Sequence, residues 1–248
     1  MKLFEFEGYI QSIYLAEYEH GLLLLDGCCR ADVEDICRFI TAHLKRPVTD
    51  LKLVISTHMH PDHAGAAEKL RSITGCQIAT GQTQYSWYRG LDGFLMYLTD
   101  MALTKWVANR KGKKAKLLWY NRHLKADIQL SNNQRLPNFE DWQVITTHGH
   151  TDRDISLYHA QTNKIYVADL IVKVKGRYVP PFPVFYPSRY KTSLNTIEQL
   201  NADKIILAHG GEVELTTQDF DYLKQKAPIE PSTHWRSVKK KFKQVFLS

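Results

Sequence analysis

The chain has 248 residues, 44% hydrophobic and 24% charged, which is the balance of a globular protein and excludes a disordered, collagenous or fibrous one. Its length suits one compact domain with an elaboration, and its longest aliphatic run, Leu22 to Leu25, falls far short of the about 20 apolar residues of a membrane span. Lys and Arg number 33 against 26 Asp and Glu, for a net +7, but eight basic residues and no acid lie between Met101 and Ala126, and five with no acid between His234 and Ser248. The basicity is therefore local, a matter of patches.

In chain order, Tyr9–Glu17 and Gly21–Leu25 read as strands joined by the polar turn Glu19-His20. Val33, Ile36, Phe39 and Ile40 share one face of a helix over Asp32–His43. Leu51–Ile55 is a short buried strand, followed by the polar run Ser56–His63 and a helix that Pro61 opens at its first position. Cys76–Ala79 is a further strand. A helical stretch with basic punctuation, Thr83–Leu124, then breaks the rhythm. Strands return at Gln143–Thr147, Ile155–His159 and Lys164–Ala168, followed by a helix over Ser188–Leu200, a strand over Lys204–Leu207 and a helix over Gln218–Lys226. Pro228 and Pro231 set off a basic tail, which makes residues 228–248 an extension of a domain over 1–227. Strands in runs with helices between them imply sheets covered by helices.

Cys28, Cys29, Cys37 and Cys76 have no zinc-finger spacing, and adjacent Cys28-Cys29 is an awkward start for a disulfide framework. The N-terminus carries Glu5 and Glu7 and no apolar signal core. A reduced, cytoplasmic protein is the expectation, with no membrane partner.

The chemistry concentrates in Ser56-Thr57-His58-Met59-His60-Pro61-Asp62-His63, where three His and one Asp fall within six residues between a strand and a helix. Such neighbours repel if charged and gain little by packing if neutral, whereas a divalent ion stabilises them together. His20, His43 and His123, lacking such company, read as ordinary polar residues. His58 and His60 leave the strand differently from Asp62 and His63 on the first helical turn, which invites two ions side by side. Further ligands must come from strand ends, and His150, Asp169 and His209 are the candidates.

The series HMHPDH, then Gly149-His150-Thr151, then Asp169, then His209-Gly210 resembles the metallo-β-lactamase superfamily, with its HxHxDH motif, distant His, bridging Asp and final His. The resemblance runs from the Asp26-Gly27 turn to Gly210. It implies an α/β fold, a four-layered αββα sandwich, here with a helical insertion over 83–124. It also implies that His58, His60 and His150 hold one ion and Asp62, His63 and His209 a second, with Asp169 between them. Where many relatives read GHTPG, this chain continues Asp152-Arg153-Asp154, so the loop beyond His150 differs. His148 lies out of register with the Gly-His-Thr pattern and is not taken as a ligand.

The function this resemblance implies is that of a binuclear hydrolase carrying two divalent ions, Zn²⁺ preferred, with Fe and Mn also suited to imidazole and carboxylate donors. Relatives with di-iron redox chemistry commonly carry an acid where His60 stands and add a flavin domain, and this chain has neither. Paired ions lower the pKa of a bridging water towards about 7. Asp62 would orient that nucleophile and collect its proton, and Tyr186 or Tyr190 would donate to the developing oxyanion. The expected substrate is a small-molecule ester, lactone or thioester, as in the glyoxalase II and acyl-homoserine lactonase branch. Alternatives are a nuclease using the basic patch, although there is no room for the large insert several such nucleases carry; a mononuclear-iron sulfur dioxygenase using His58, His150 and Asp169; and a binding module without turnover. In residues 83–124, Trp87, Leu91, Phe94, Leu95, Tyr97, Leu98, Leu103, Trp106 and Val107 exceed what docking one helix needs, so the insertion is expected to wall or cover a substrate pocket.

Overall fold

The computed structural model of the chain describes residues 1–233. They fall into two units, Met1–Glu140 and a second that begins at Asp141. The basic stretch His234–Ser248 lies outside the described residues.

The first unit runs β1 (Lys2–Glu7), β2 (Ser12–Tyr18), β3 (Gly21–Leu24), α1 (Val33–Arg38, continued by a wider turn to His43), β4 (Leu51–Ser56), α2 (Pro61–Ala64), α3 (Ala67–Thr74), β5 (Gln77–Gly81), α4 (Gly90–Arg110), β6 (Ile128–Leu130) and β7 (Arg135–Leu136). Strands β1 to β6 form one sheet in chain order. The first three pair antiparallel, and β3 to β6 pair parallel. Parallel strands are usually buried on both faces and read as unbroken apolar runs, which is how Leu22-Leu23-Leu24 and Leu53-Val54-Ile55 read. Helices α1 and α3 close one face, where Val33, Ile36, Ile40 and Leu70 meet Leu22, Leu24, Val54 and Ile78. Parallel order places the loops after β3 and β4 outside the carboxyl ends of neighbouring strands, the usual place for a site in an α/β sheet.

Two local expectations change. The strand expected from Tyr9 begins at Ser12, and β1 is an additional edge strand, where Glu5 and Glu7 obscure the apolar alternation. The stretch expected to be helical over Thr83–Leu124 is helical only as α4. Gly112 follows it at φ +69°, a left-handed position that suits a helix end. Beyond it the chain returns irregularly across the unit, tied down by Lys113 on Glu7 (2.6 Å) and Lys116 on Asp35 (3.1 Å).

The second unit runs β8 (Phe139–Thr146, which starts just before the division), β9 (Ile155–His159), β10 (Lys164–Tyr166), β11 (Val172–Val174), β12 (Arg177–Val179), α5 (Pro187–Leu200), β13 (Lys204–Leu207), β14 (Gly211–Val213) and α6 (Thr217–Lys226). Its sheet places β14, β13, β10, β9 and β8 side by side. Only β10 and β13 pair parallel there, with α5 in the connection between them. Ile165, Ile205 and Leu207 of the sheet pack with Leu194 and Ile197 of α5 and Phe220 and Leu223 of α6. Helix α6 opens with a reciprocal cap, Thr216 and Asp219 each satisfying the other's backbone N–H.

Candidate metal centre

In the first unit the donors come from one loop. Strand β4 ends at Ser56, and α2 opens at Pro61 with His60 as its N-cap in extended conformation. That single turn separates two kinds of donor. His58 Nε2 and His60 Nδ1 face each other at 3.1 Å. Asp62 and His63, on the first helical turn, converge with Asp62 Oδ2 3.5 Å from His63 Nε2. Donors about 2.0–2.2 Å from a tetrahedral ion sit about 3.4 Å from one another, so both separations are those of shared ligands. All four side chains are buried.

Asp26, just beyond β3, organises this loop. One carboxylate oxygen accepts from the backbone N–H of Gly27 and Thr57, and the other accepts from the Thr57 hydroxyl and pairs with His63 Nδ1 at 2.6 Å. A carboxylate on one ring nitrogen fixes the tautomer and leaves the other nitrogen to ligate. His63 Nε2 is therefore the donor turned towards Asp62. Sequence reading met Asp26 only as the start of the resemblance. The signal was an acid at the end of an apolar strand, beside the strand that carries the histidines.

In the second unit the donors come from three separate strand ends. His150 follows β8, Asp169 follows β10 and His209 follows β13. Pro183 O receives His150 Nδ1 at 2.5 Å, which turns Nε2 towards Asp169 Oδ2, 3.8 Å away. The other Asp169 oxygen, Oδ1, lies 3.5 Å from His209 Nε2. One carboxylate thus presents a different oxygen to each of two imidazoles. Immediately before it, Ala168 sits at φ +48°, a left-handed conformation costly for a side chain with a Cβ. The strained residue aims Asp169 out of the strand.

The sequence beyond His150 that departs from the GHTPG pattern makes its own clamp. Buried Asp154 accepts from the N–H of Gly149 and Thr151 with one oxygen and from the Thr151 hydroxyl with the other. Burial raises its pKa. Gly149 is at φ +150°, and a Cβ there would stand 2.4 Å from Tyr190 Cα, so only glycine lets α5 approach this loop. The His148 ring is half-buried, desolvation lowers its pKa, and its carbonyl accepts from Ser193.

The two tyrosines singled out in sequence differ. Tyr190 is fully buried among Ile145, Ile165, Val167 and Leu194. Tyr186 caps α5, and its backbone N–H donates to Gly149 O at 2.9 Å. Its ring is half-buried beside the Arg189 guanidinium, and burial pushes its pKa up, so the hydroxyl keeps its proton at neutral pH. His20, His43 and His123 stand apart from the donors: His20 bonds Asn138 O, His43 stacks on Phe39 and His123 bonds Ser86.

The donor set is imidazole and carboxylate throughout. Cys28 and Cys29 are buried nearby in the first unit, where Cys28 Sγ donates to Asp26 O and Cys29 Sγ to Gln11 Oε1, and burial pushes both thiols well above the usual range. Borderline divalent ions such as Zn²⁺, Fe²⁺ and Mn²⁺ suit such donors, and the residues fit them.

The sequence model of the metallo-beta-lactamase superfamily matches residues 7–209. No curated protein matches the chain. Among solved structures, the metallo-beta-lactamase family protein TTHA1429 from Thermus thermophilus is similar at TM-score 0.67 and 18% identity, over 90% of this chain and 78% of that one. The archaeal superfamily protein ST1585 from Sulfolobus tokodaii is similar at 0.64 and 19%, over 92% and 87%. ETHE1 from Myxococcus xanthus is similar at 0.59 and 17%, over 92% and 84%. At these identities the likeness is one of fold.

Proposed function

The chain belongs to the metallo-β-lactamase superfamily, and from that premise we propose that it is a binuclear metal-dependent hydrolase of small-molecule esters, lactones or thioesters. The observation that carries the reading is the Asp169 carboxylate, with one oxygen towards His150 Nε2 and the other towards His209 Nε2. A carboxylate so placed would hold an ion on each oxygen, were two bound. In this reading the ligands are those the resemblance assigns: His58, His60 and His150 for one ion, Asp62, His63 and His209 for the other, with Asp169 shared.

Bound ions of this kind supply Lewis acidity to the scissile carbonyl and activate water for attack. The chain's own residues do the rest. Asp62 accepts the proton of the attacking water, while Asp26 holds His63 in the tautomer that leaves Nε2 to ligate. Water adds to the carbonyl carbon, the bond to the leaving oxygen or sulfur breaks, and the Tyr186 hydroxyl donates to the departing atom. Tyr190, buried in the core, packs beneath the His150 loop and takes no part. An apolar substrate has a surface to lie on, since α4 leaves Leu91, Phe94, Leu95 and Trp106 exposed.

One feature weighs against the nuclease alternative. Four of the eight basic residues of 101–126 are spent inside the first unit: Lys111 on Ile10 O, Lys113 on Glu7, Lys116 on Asp35 and Arg122 on Tyr88 O. That leaves a thinner patch for nucleic acid.

The test is metal content of protein purified without chelator, with turnover on ester, lactone, thioester and RNA substrates. Two equivalents of metal and activity on one of the first three classes are expected, and Asp62→Asn should cost at least about 100-fold in kcat with the fold intact by circular dichroism. One equivalent under zinc excess, or activity on RNA alone with a steep salt dependence, would overturn the reading.

A further inference from the structure

Resting on the metal-centre reading, we propose that Asp100, in the segment inserted between β5 and β6, is a positioning residue that orients His60 for its ion. Asp100 lies in the middle of α4 and is only 5% exposed. Its surroundings are apolar and aromatic, with Tyr88, Tyr97, Met101 and Met59 in one buried cluster. A carboxylate in such a place needs partners to offset its desolvation, and two face it. The Tyr88 hydroxyl donates to Asp100 Oδ2 at 2.9 Å, and His60 Nε2 lies 3.7 Å from the same oxygen.

The His60 ring is thus held between two demands. Its Nδ1 faces His58 Nε2, where an ion's donors converge. Its Nε2 faces Asp100. A neutral imidazole that ligates through Nδ1 carries its proton on Nε2, and a carboxylate there selects that tautomer and the ring plane with it. Tyr88 steadies the carboxylate as a lasting donor, since burial holds its hydroxyl well above the ordinary tyrosine range. The same segment also grips the loop backbone. The Tyr120 hydroxyl donates to Met59 O at 2.5 Å, and the Tyr97 hydroxyl to Tyr120 O at 2.8 Å. Asp26 does for His63 from the neighbouring strand what Asp100 does for His60 from the insertion. The insertion therefore holds a ligand of one ion, in addition to any contact with substrate.

The experiment titrates full-length wild-type protein, Asp100→Asn, Asp100→Glu and Tyr9→Phe with Zn²⁺ against a chromophoric chelator, and records thermal unfolding of each metal-free protein. Wild type should take up zinc in two steps. Asp100→Asn should weaken one step by about 10–100-fold, the scale for an outer partner of a ligating histidine, and leave the other unchanged, while Asp100→Glu recovers part of the loss. Tyr9→Phe removes a hydrogen bond to Lys114 O from the same buried cluster without touching His60 or the loop that carries it, so it should lower the melting temperature and leave both steps alone. If Asp100→Asn fails to fold, Tyr88→Phe takes its place and should weaken the same step several-fold. Folded Asp100→Asn, or in its stead Tyr88→Phe, with both steps at wild-type affinity would overturn the proposal and leave the metal-centre reading standing. Wild-type protein that takes up no zinc would overturn both.

Discussion

The two units present their donors by opposite means. In the first, His58, His60, Asp62 and His63 share one strand-to-helix turn, and a strand end followed by Pro61 at the first helical position is enough to point them in pairs. In the second, His150, Asp169 and His209 come from three strand ends, brought together by the parallel pairing of β10 with β13 and by the close approach of α5 to Gly149. Their orienting partners differ likewise. A side-chain carboxylate is hydrogen-bonded to His63 and another faces His60 at 3.7 Å, whereas the backbone carbonyl of Pro183 is hydrogen-bonded to His150. A locally coded half is robust to distant change and vulnerable in its own residues. A half assembled by tertiary packing is vulnerable wherever that packing is set.

The strongest way to break this contrast is Asp169→Asn. It keeps the shape and removes the charge from a carboxylate that turns a different oxygen to each of two histidines. Loss of one metal equivalent and a fall in turnover beyond the about 10–100-fold expected of a mere outer partner should be seen by elemental analysis and steady-state kinetics; two retained equivalents would deny Asp169 its shared role. Next comes Asp26→Asn, which withdraws the acceptor from His63 Nδ1. It should weaken the ion held by Asp62 and His63 by about 10–100-fold in chelator competition and leave the His58–His60 ion largely untouched.

Gly149→Ala probes the tertiary half without touching a ligand. A Cβ placed 2.4 Å from Tyr190 Cα at φ +150° should cost about 1–3 kcal/mol of stability by denaturant unfolding. It should also lower metal affinity, because His150 follows directly. Wild-type stability would mean that α5 yields easily.

The smallest effect is a pH slope. Burial pushes the Asp32 carboxyl up to about 7, against hydrogen bonds from the Tyr9 and Cys29 N–H groups, whereas in the unfolded chain it titrates at about 3.9. The folded state therefore binds this proton more tightly. The stabilisation it brings is complete below about pH 4 and is lost as pH rises through about 7. Asp32→Asn should flatten that part of the stability curve in denaturant melts taken between about pH 4 and 8.

Legibility in the sequence follows the same division. HMHPDH was readable because its residues touch through a single turn, and Pro61 marked the helix start. His150, Asp169 and His209 were readable as candidates from their places after apolar strands, but only the resemblance assigned them to ions and preferred His150 to His148. It is the Pro183 carbonyl and the α5 approach that single out His150. Asp154 was visible only as a departure from a pattern. Asp26 and Asp100 carried no motif at all, because an acid's partner across a fold has no fixed offset in the chain. The helical reading of 83–124 overshot because apolar and basic residues continue past Gly112, and only the chain's return across the unit, pinned at Glu7 and Asp35, ends the helix.

By itself the sequence determined the central apolar strands and most of the helices, through apolar runs and periodicity, and pointed to the metal-binding character of one loop, through donors too close together to be there for packing. Tertiary structure alone decided which nitrogen of each histidine faces inward, that Asp169 turns one oxygen to each of two imidazoles, and that an inserted helix lends a carboxylate to His60. Those choices depend on strand pairing, burial and a few ångströms of approach between residues far apart in the chain, and no local pattern encodes them.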